Sequence, residues 1–273
     1  MIIEPAGREE FLALMQETYG SAMSADEFDW WFDRNPAGPR ILNAARDDGT
    51  ALGALSMYFA RMDNGLQAFA VHAVTTPAAR GRGVFSSLEL HNEEQAAAAG
   101  ARWALGFTNP MAGPILVGRL GWEDLTELRI WVRPKSFRKG GRVRETAVEP
   151  RPRRLPAHHI VRDEAYLRWR YVDSPRPYAQ VDDVVVTHAD WHGYSSAVVC
   201  EHGRGLSRAL RLVDAQIAVA MVNPGEERRF LSHGFVPTPR TIRFIGKRLT
   251  EDAPLLPKRR EAWHFTLGDL DFF

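Results

Sequence analysis

Apolar residues recur at helical spacing over residues 8–19 and 26–34, then give way to β-rich runs at 40–45, 51–61 and 67–75. The runs are separated by Asp47-Asp48-Gly49 and Asp63-Asn64-Gly65, both of which suit tight hairpin turns, so an antiparallel meander is predicted. After a glycine-containing loop the pattern returns to a helix over 84–99, a strand over 102–108, a short helix over 114–119 and a strand over 121–132. Helices, meander, loop, long helix and strand in this order predict an α/β chain.

The second half echoes the first. Trp30 stands six residues before Pro36, and Trp169 six before Pro175. Asn109-Pro110 is followed by Gly121-Trp122, and Asn223-Pro224 by Gly234-Phe235. Gly81-Arg82-Gly83-Val84 has its counterpart in Gly203-Arg204-Gly205-Leu206, with His202 where Arg80 stands. Three echoes in one order imply two copies of one fold, the second degenerate because only residues 205–213 are available for its loop-following helix. Arginine and lysine dominate residues 133–157, where Pro134, Pro150, Pro152 and Pro156 break any helix. The expected organisation is a first domain over 1–134, a basic linker over 135–157 and a second domain over 158–273.

Composition narrows the classes. A length of 273 residues suits two domains, and 45% apolar against 25% charged residues is enough to build a core in each. A net charge of +1 gives no global attraction to nucleic acid or anionic membrane, so any anion site must be local. The lone Cys200 excludes an internal disulfide and a cysteine-based zinc cluster, and is expected to be a small buried residue; no metal is expected. No apolar run approaches the ~18 residues of a membrane span, and the acidic N-terminus lacks the pattern of a leader, so a cytoplasmic protein is expected.

The chemistry concentrates in the loop between the predicted strand 67–75 and helix 84–99. Glycines at 81 and 83 keep side chains from blocking a ligand's approach to the backbone, the helix start adds partial positive charge, and Arg80 and Arg82 add full charges. A pyrophosphate is the natural guest. The loop lacks both the Walker lysine and the full dinucleotide fingerprint, which removes those nucleotide classes.

Arg80, Gly83 and Phe85, together with Asn109 and Leu120-Gly121-Trp122, resemble the GNAT superfamily of acyl-CoA-dependent N-acyltransferases, in tandem arrangement. The resemblance runs from about residue 3 to 132, and Phe85 departs from the small residue commonly found in the last signature position. It implies the GNAT fold, with a mixed, mostly antiparallel sheet flanked by helices and present twice. It implies acetyl-CoA, or another acyl-CoA, as co-substrate, with the backbone at Val74 and Thr75 pairing the pantetheine arm. Arg80, Gly81, Arg82, Gly83, Val84, Phe85 and Ser86 would hold the pyrophosphate, and Asn109 would sit at the thioester. His72, two residues before Val74 and so on its face of a regular strand, is the first candidate for the base that neutralises the amine; Glu123 and then Asp124 follow.

The family's common proton donor is a tyrosine on the helix after the asparagine, and residues 110–121 contain none. Tyrosines of the second half (Tyr166, Tyr171, Tyr178, Tyr194) or the tail residues Asp271 and Phe273 could supply a group instead. The leading expectation is transfer of an acetyl or short acyl group to an amine, small or carrier-bound, held between the halves. An acyl-CoA decarboxylase or carrier-loading domain, a non-catalytic CoA-binding protein, and a tRNA-dependent transferase stand as alternatives. No specific nucleic acid or membrane partner is expected, and the acceptor and oligomeric state are not encoded in any legible pattern.

Overall fold

The computed structural model describes residues 1–134, 148–149 and 151–270. Its residues form two compact units, Met1–Leu125 with Phe244–Pro257, and Thr126–Arg243 with Lys258–Phe273. The division is therefore not a single cut at the basic segment: residues 126–134 already belong to the second unit, and a later segment returns to the first. Of the expected linker, residues 135–147 and 150 lie outside the described residues.

In the first unit, β1 (Ile2–Pro5) precedes α1 (Arg8–Tyr19) and α2 (Ala25–Phe28). Ser24 caps α2 in a capping box with Glu27, which satisfies donors at its start. The helix then widens into a π turn, Asp29–Asp33, that buries Trp30, Trp31 and Phe32 in succession. A helix of 3.6 residues per turn would point one of three consecutive side chains outward, so the wide turn accommodates the aromatic run. Next come β2 (Ile41–Asp47), β3 (Thr50–Met62) and β4 (Gly65–Thr75), the antiparallel meander predicted from the hairpin turns. α3 (Val84–Ala98), β5 (Trp103–Thr108), α4 (Gly113–Arg119) and the start of β6 (Glu123–Pro134) complete the series.

The second unit repeats the series: α5 (Glu164–Leu167) widens into a π turn at Arg168–Val172, followed by β7 (Ala179–Val181), β8 (Val184–Trp191) and β9 (Tyr194–Glu201). α6 (Leu206–Leu212), β10 (Ile217–Met221), α7 (Glu227–Ser232) and the part of β11 (Val236–Arg248) up to Arg243 continue it, and the rest of β11 belongs to the first unit. α6 has 7 residues against 15 in α3, the shortening expected from the sequence.

The first unit's strands run in the order β1-β2-β3-β4-β5-β11, and the second's β11-β6-β10-β9-β8-β7. β4 and β5 pair in parallel, as do β9 and β10, and the other pairings defined by register are antiparallel. Each unit has its own core: Leu55, Met57, Phe59 and Leu88 are among the buried residues of the first, and Val186, Val199, Phe230 and Phe235 among those of the second.

Candidate functional site

Residues 76–86 join β4 to α3, and their backbone is shaped for an anion. Gly81 and Gly83 have φ of +77° and +79°, which β-carbon-bearing residues adopt only with strain, and nothing lies within 4 Å of where a Cβ would stand on either. Gly83 is the N-cap of α3, so the N–H groups of Val84, Phe85 and Ser86 fall in the first turn and have no intrahelical acceptor. Neither they nor the N–H groups of Gly81 and Gly83 meet an acceptor among the described residues. Five donors and a helix start thus surround one open space, an arrangement that favours a phosphate oxygen.

That space is one end of a cleft of about 410 Å³ in the first unit, lined by Arg80, Gly81, Gly83, Val84, Phe85 and Ser86 there and by Thr75, Asn109 and Tyr19 elsewhere. Arg80 faces it with no anionic partner among the described residues. Arg82 does not line it: its guanidinium donates to Asp47 at 2.8 Å at the end of β2, and this hydrogen bond holds the Asp47 carboxyl below its ordinary range. Of the two arginines expected to meet phosphate, the structure turns one toward the cleft and gives the other to the end of β2. Arg119, at the end of α4, is a second cleft-lining cation that the motif did not single out.

β4 and β5 are paired only at Ala68↔Ala104 and Phe69↔Leu105. Beyond Phe69, β4 continues along β3 to Thr75↔Gly53 while its other edge has no β5 partner, so an extended arm can add there as a strand would. Val74 turns its side chain into the core, whereas Thr75 lines the cleft. Asn109 also lines it, and its Oδ1 accepts the N–H groups of Met111 and Ala112, each at 2.9 Å, fixing the turn into α4. Its amide nitrogen has no acceptor among the described residues.

The candidate bases are placed differently. The β3–β4 register shifts between Ala54 and Ser56, so that His72 and Ala73 together stand opposite Leu55 in a β-bulge, with His72 at φ +49°. The strict alternation that would put His72 and Val74 on one face is broken at that point. His72 lies against Phe32 and does not line the cleft, and neither do Glu123 and Asp124 at the start of β6. The bulge instead presents Ala73, whose carbonyl accepts the Tyr19 hydroxyl at 3.0 Å. Tyr19 is the residue that the sequence argument missed, since its only signal was position at the end of a helix.

The second unit's counterpart loop is occupied by the protein itself. Asp183, in the β7–β8 turn, accepts the N–H of Arg204 at 2.7 Å and of Gly205 at 2.8 Å. A Cβ on Gly203 would collide with the same carboxylate. Burial disfavours the Asp183 anion, but the bonds from Gly205 and Arg204 outweigh it and hold the carboxyl below its usual range. Asn223, counterpart of Asn109, accepts from Arg260 at 2.9 Å and from the Phe265 N–H at 3.1 Å. The segment that follows packs against β9, and Gly268 fits so closely on Tyr171 and the Cys200 carbonyl that a Cβ would overlap Tyr171.

Arg162 is fully buried there between Glu201 and Asp269, each at 2.8 Å, and Tyr166 and Tyr171 donate to Asp269 and Glu201. Burial raises the pKa of both tyrosines, and their hydroxyls are committed to this network. Tyr178 contacts Arg170 in the same unit. Asp271 and Phe273 lie outside the described residues, and the tail up to Leu270 belongs to the second unit. Cys200 is buried as expected, and burial pushes its thiol up to about 12.

No family model and no curated protein matches the sequence. The structure does have likenesses. A GCN5-related N-acetyltransferase from Kribbella flavida superposes with TM-score 0.59 at 14% identity, over 91% of this chain and 72% of that one. Eis1 from Mycobacterium abscessus does so with TM-score 0.59 at 11% identity, over 91% and 74%. A GCN5-related N-acetyltransferase from Anabaena variabilis gives TM-score 0.60 at 8% identity, over 91% and 73%. At such identities the likeness concerns the fold: this chain has the GNAT fold, with its mixed, mostly antiparallel sheet flanked by helices.

Proposed function

We propose that the chain is an acyltransferase that binds acetyl-CoA, or another short acyl-CoA, in the first unit's cleft and transfers the acyl group to an amine. The observation that supports this most is the open cradle of N–H groups around Gly81 and Gly83, leading into a cleft beside the unpaired edge of β4. The cradle and Arg80 suit a pyrophosphate, the free edge suits an amide-bearing arm, and Asn109 stands on the same cleft wall. The structural neighbours named as N-acetyltransferases favour the same activity for this fold.

In this reading acyl-CoA supplies the activated thioester, and the protein supplies position and electrostatics. Backbone donors at the N-terminus of α3 neutralise the phosphates without a side chain that must be ordered on binding. β4 fixes the arm by main-chain hydrogen bonds, which carry it along one direction of the cleft. A bound neutral amine then needs only alignment with the carbonyl carbon, the term that proximity contributes most effectively. No His or carboxylate among the expected bases lines the cleft, so the amine's surplus proton passes to water in the open end.

Calorimetric titration of acetyl-CoA into the full chain tests the proposal. One site per chain is expected, with competition by CoA, and absence of binding would overturn it.

A further inference from the structure

We propose that Tyr19 is the proton donor to the departing CoA sulfur, an inference that rests on the acyl-transfer reading above. Tyr19 is the last residue of α1, and Gly20 at φ +70° ends the helix directly after it. Its phenol reaches the β4 bulge, where the hydroxyl donates to the Ala73 carbonyl at 3.0 Å. Tyr19 and Ala73 line the same cleft as Asn109 and the phosphate cradle. The bulge is also where β4 has lost its β5 partner, so the thioester end of an arm laid along that edge comes to the phenol.

The choice of residue follows from the chemistry of the cleft wall. A departing thiolate requires a donor whose acidity is comparable to that of a thiol, and among the side-chain types that line this cleft a phenol is the one that can give up a proton to it. The hydroxyls of Thr75 and Ser86 and the amide of Asn109 are far weaker acids, and the guanidinium side chains of Arg80 and Arg119 are a donor type that does not give up a proton in proteins. α4 offers no tyrosine, and Tyr166 and Tyr171 are committed inside the second unit.

The step balances without another reactant. The amine nitrogen forms the new N–C bond, the C–S bond breaks with its electron pair going to sulfur, and the Tyr19 proton moves to that sulfur. Water takes the surplus proton of the amine and returns one to the tyrosinate, which solvent reaches because Tyr19 is 47% exposed. In the resting protein the Ala73 carbonyl holds the hydroxyl in place; during the reaction the hydroxyl exchanges that acceptor for sulfur.

The test needs no acceptor. Dissociation constants of CoA and of desulfo-CoA are measured for the wild type and Tyr19→Phe at pH 7 and at about pH 9, where a larger share of the CoA thiol is ionised. Arg80, Arg119 and His72, beside Ala73 on the strand, are identical in both proteins, so their influence on the thiolate cancels in the comparison. A hydrogen bond to an ionised sulfur makes the wild type prefer CoA over desulfo-CoA about tenfold more than the variant does at the higher pH, with desulfo-CoA binding both proteins alike. Equal preference in the two proteins overturns the assignment while leaving acyl-CoA binding intact. Loss of desulfo-CoA binding in Tyr19→Phe assigns the phenol to the shape of the cleft and overturns it too. Failure of the wild type to bind either ligand removes the acyl-CoA reading, and Tyr19 with it.

Discussion

The two units carry the same strand–loop–helix corner, and they differ in what sits in it. In the first, the N–H groups of Gly81, Gly83 and the start of α3 face open space. In the second, Asp183 already accepts from Arg204 and Gly205, Asn223 holds the backbone of Phe265, and the segment around Gly268 lies against β9. An internal carboxylate sits where the proposed acyl-CoA would place a phosphate in the first unit, and a stretch of chain where it would place its arm. The lesson is that a glycine loop defines a donor set, and that its neighbours decide whether the donors serve a ligand or the fold.

The units also differ in how they treat buried charge. Arg162 in the second is buried but meets Glu201 and Asp269, while Glu89 in the first is buried on α3 with neither oxygen hydrogen-bonded among the described residues. Burial first, then the charge of Glu93 four residues on, raises the Glu89 pKa to about 8, with Lys247 acting against them. Glu93 itself is engaged by Lys247 at 2.5 Å and by the Trp122 indole at 2.7 Å, which leaves Glu89 without that lysine. Because the folded pKa lies above the unfolded one, the unfolded chain releases this proton first. Stability is therefore undiminished below about pH 4, falls between the two values, and stays reduced above about pH 8. Glu89→Gln is expected to match the wild type at acid pH and to exceed it by on the order of 3 kcal/mol above pH 8. Urea unfolding across that range checks this, and parallel curves for the two proteins would show Glu89 to be solvated or paired.

The open cradle is broken most directly at its second glycine. Gly83→Trp adds an indole where a Cβ now meets nothing within 4 Å, so the side chain enters open space that the proposed acyl-CoA would fill. The positive φ adds a strain cost of about 1 kcal/mol, small enough for the fold to survive. Acetyl-CoA affinity is expected to fall at least 100-fold, about 2.7 kcal/mol, with unchanged circular dichroism. Unaltered affinity would separate the cradle from CoA binding.

Much of this could be read from residue order. The turns Asp47-Asp48-Gly49 and Asp63-Asn64-Gly65 announced the meander, and the two spaced glycines announced the cradle. β1 was not predicted, because a four-residue edge strand with Glu4 and Pro5 carries no alternation and exists through its pairing with β2. The His72 assignment depended on a regular strand, and a bulge of one residue is invisible to periodicity. Tyr19 and Asp183 were missed for a common reason. Each acts on a segment distant in sequence, Ala73 in one case and the 204–205 backbone in the other, and no local pattern encodes such a meeting.

The smallest expected effect probes the closed loop. Asp183→Asn keeps one acceptor oxygen but removes the charge and one of the two N–H bonds, so the backbone of Arg204 or Gly205 loses its partner. Asp183 is only partly buried, and water can replace part of what is lost, so a cost of about 1 kcal/mol at pH 7 is expected rather than the full value of a buried charged bond. The folded pKa is depressed, so this contribution is present above the unfolded value near 4 and disappears as pH falls through the folded one; the two proteins should converge there. Acetyl-CoA stoichiometry should remain one per chain, because Asn223 still binds Phe265 and the tail still covers β9. A rise to two sites would mean that the carboxylate alone had kept the second loop from behaving like the first.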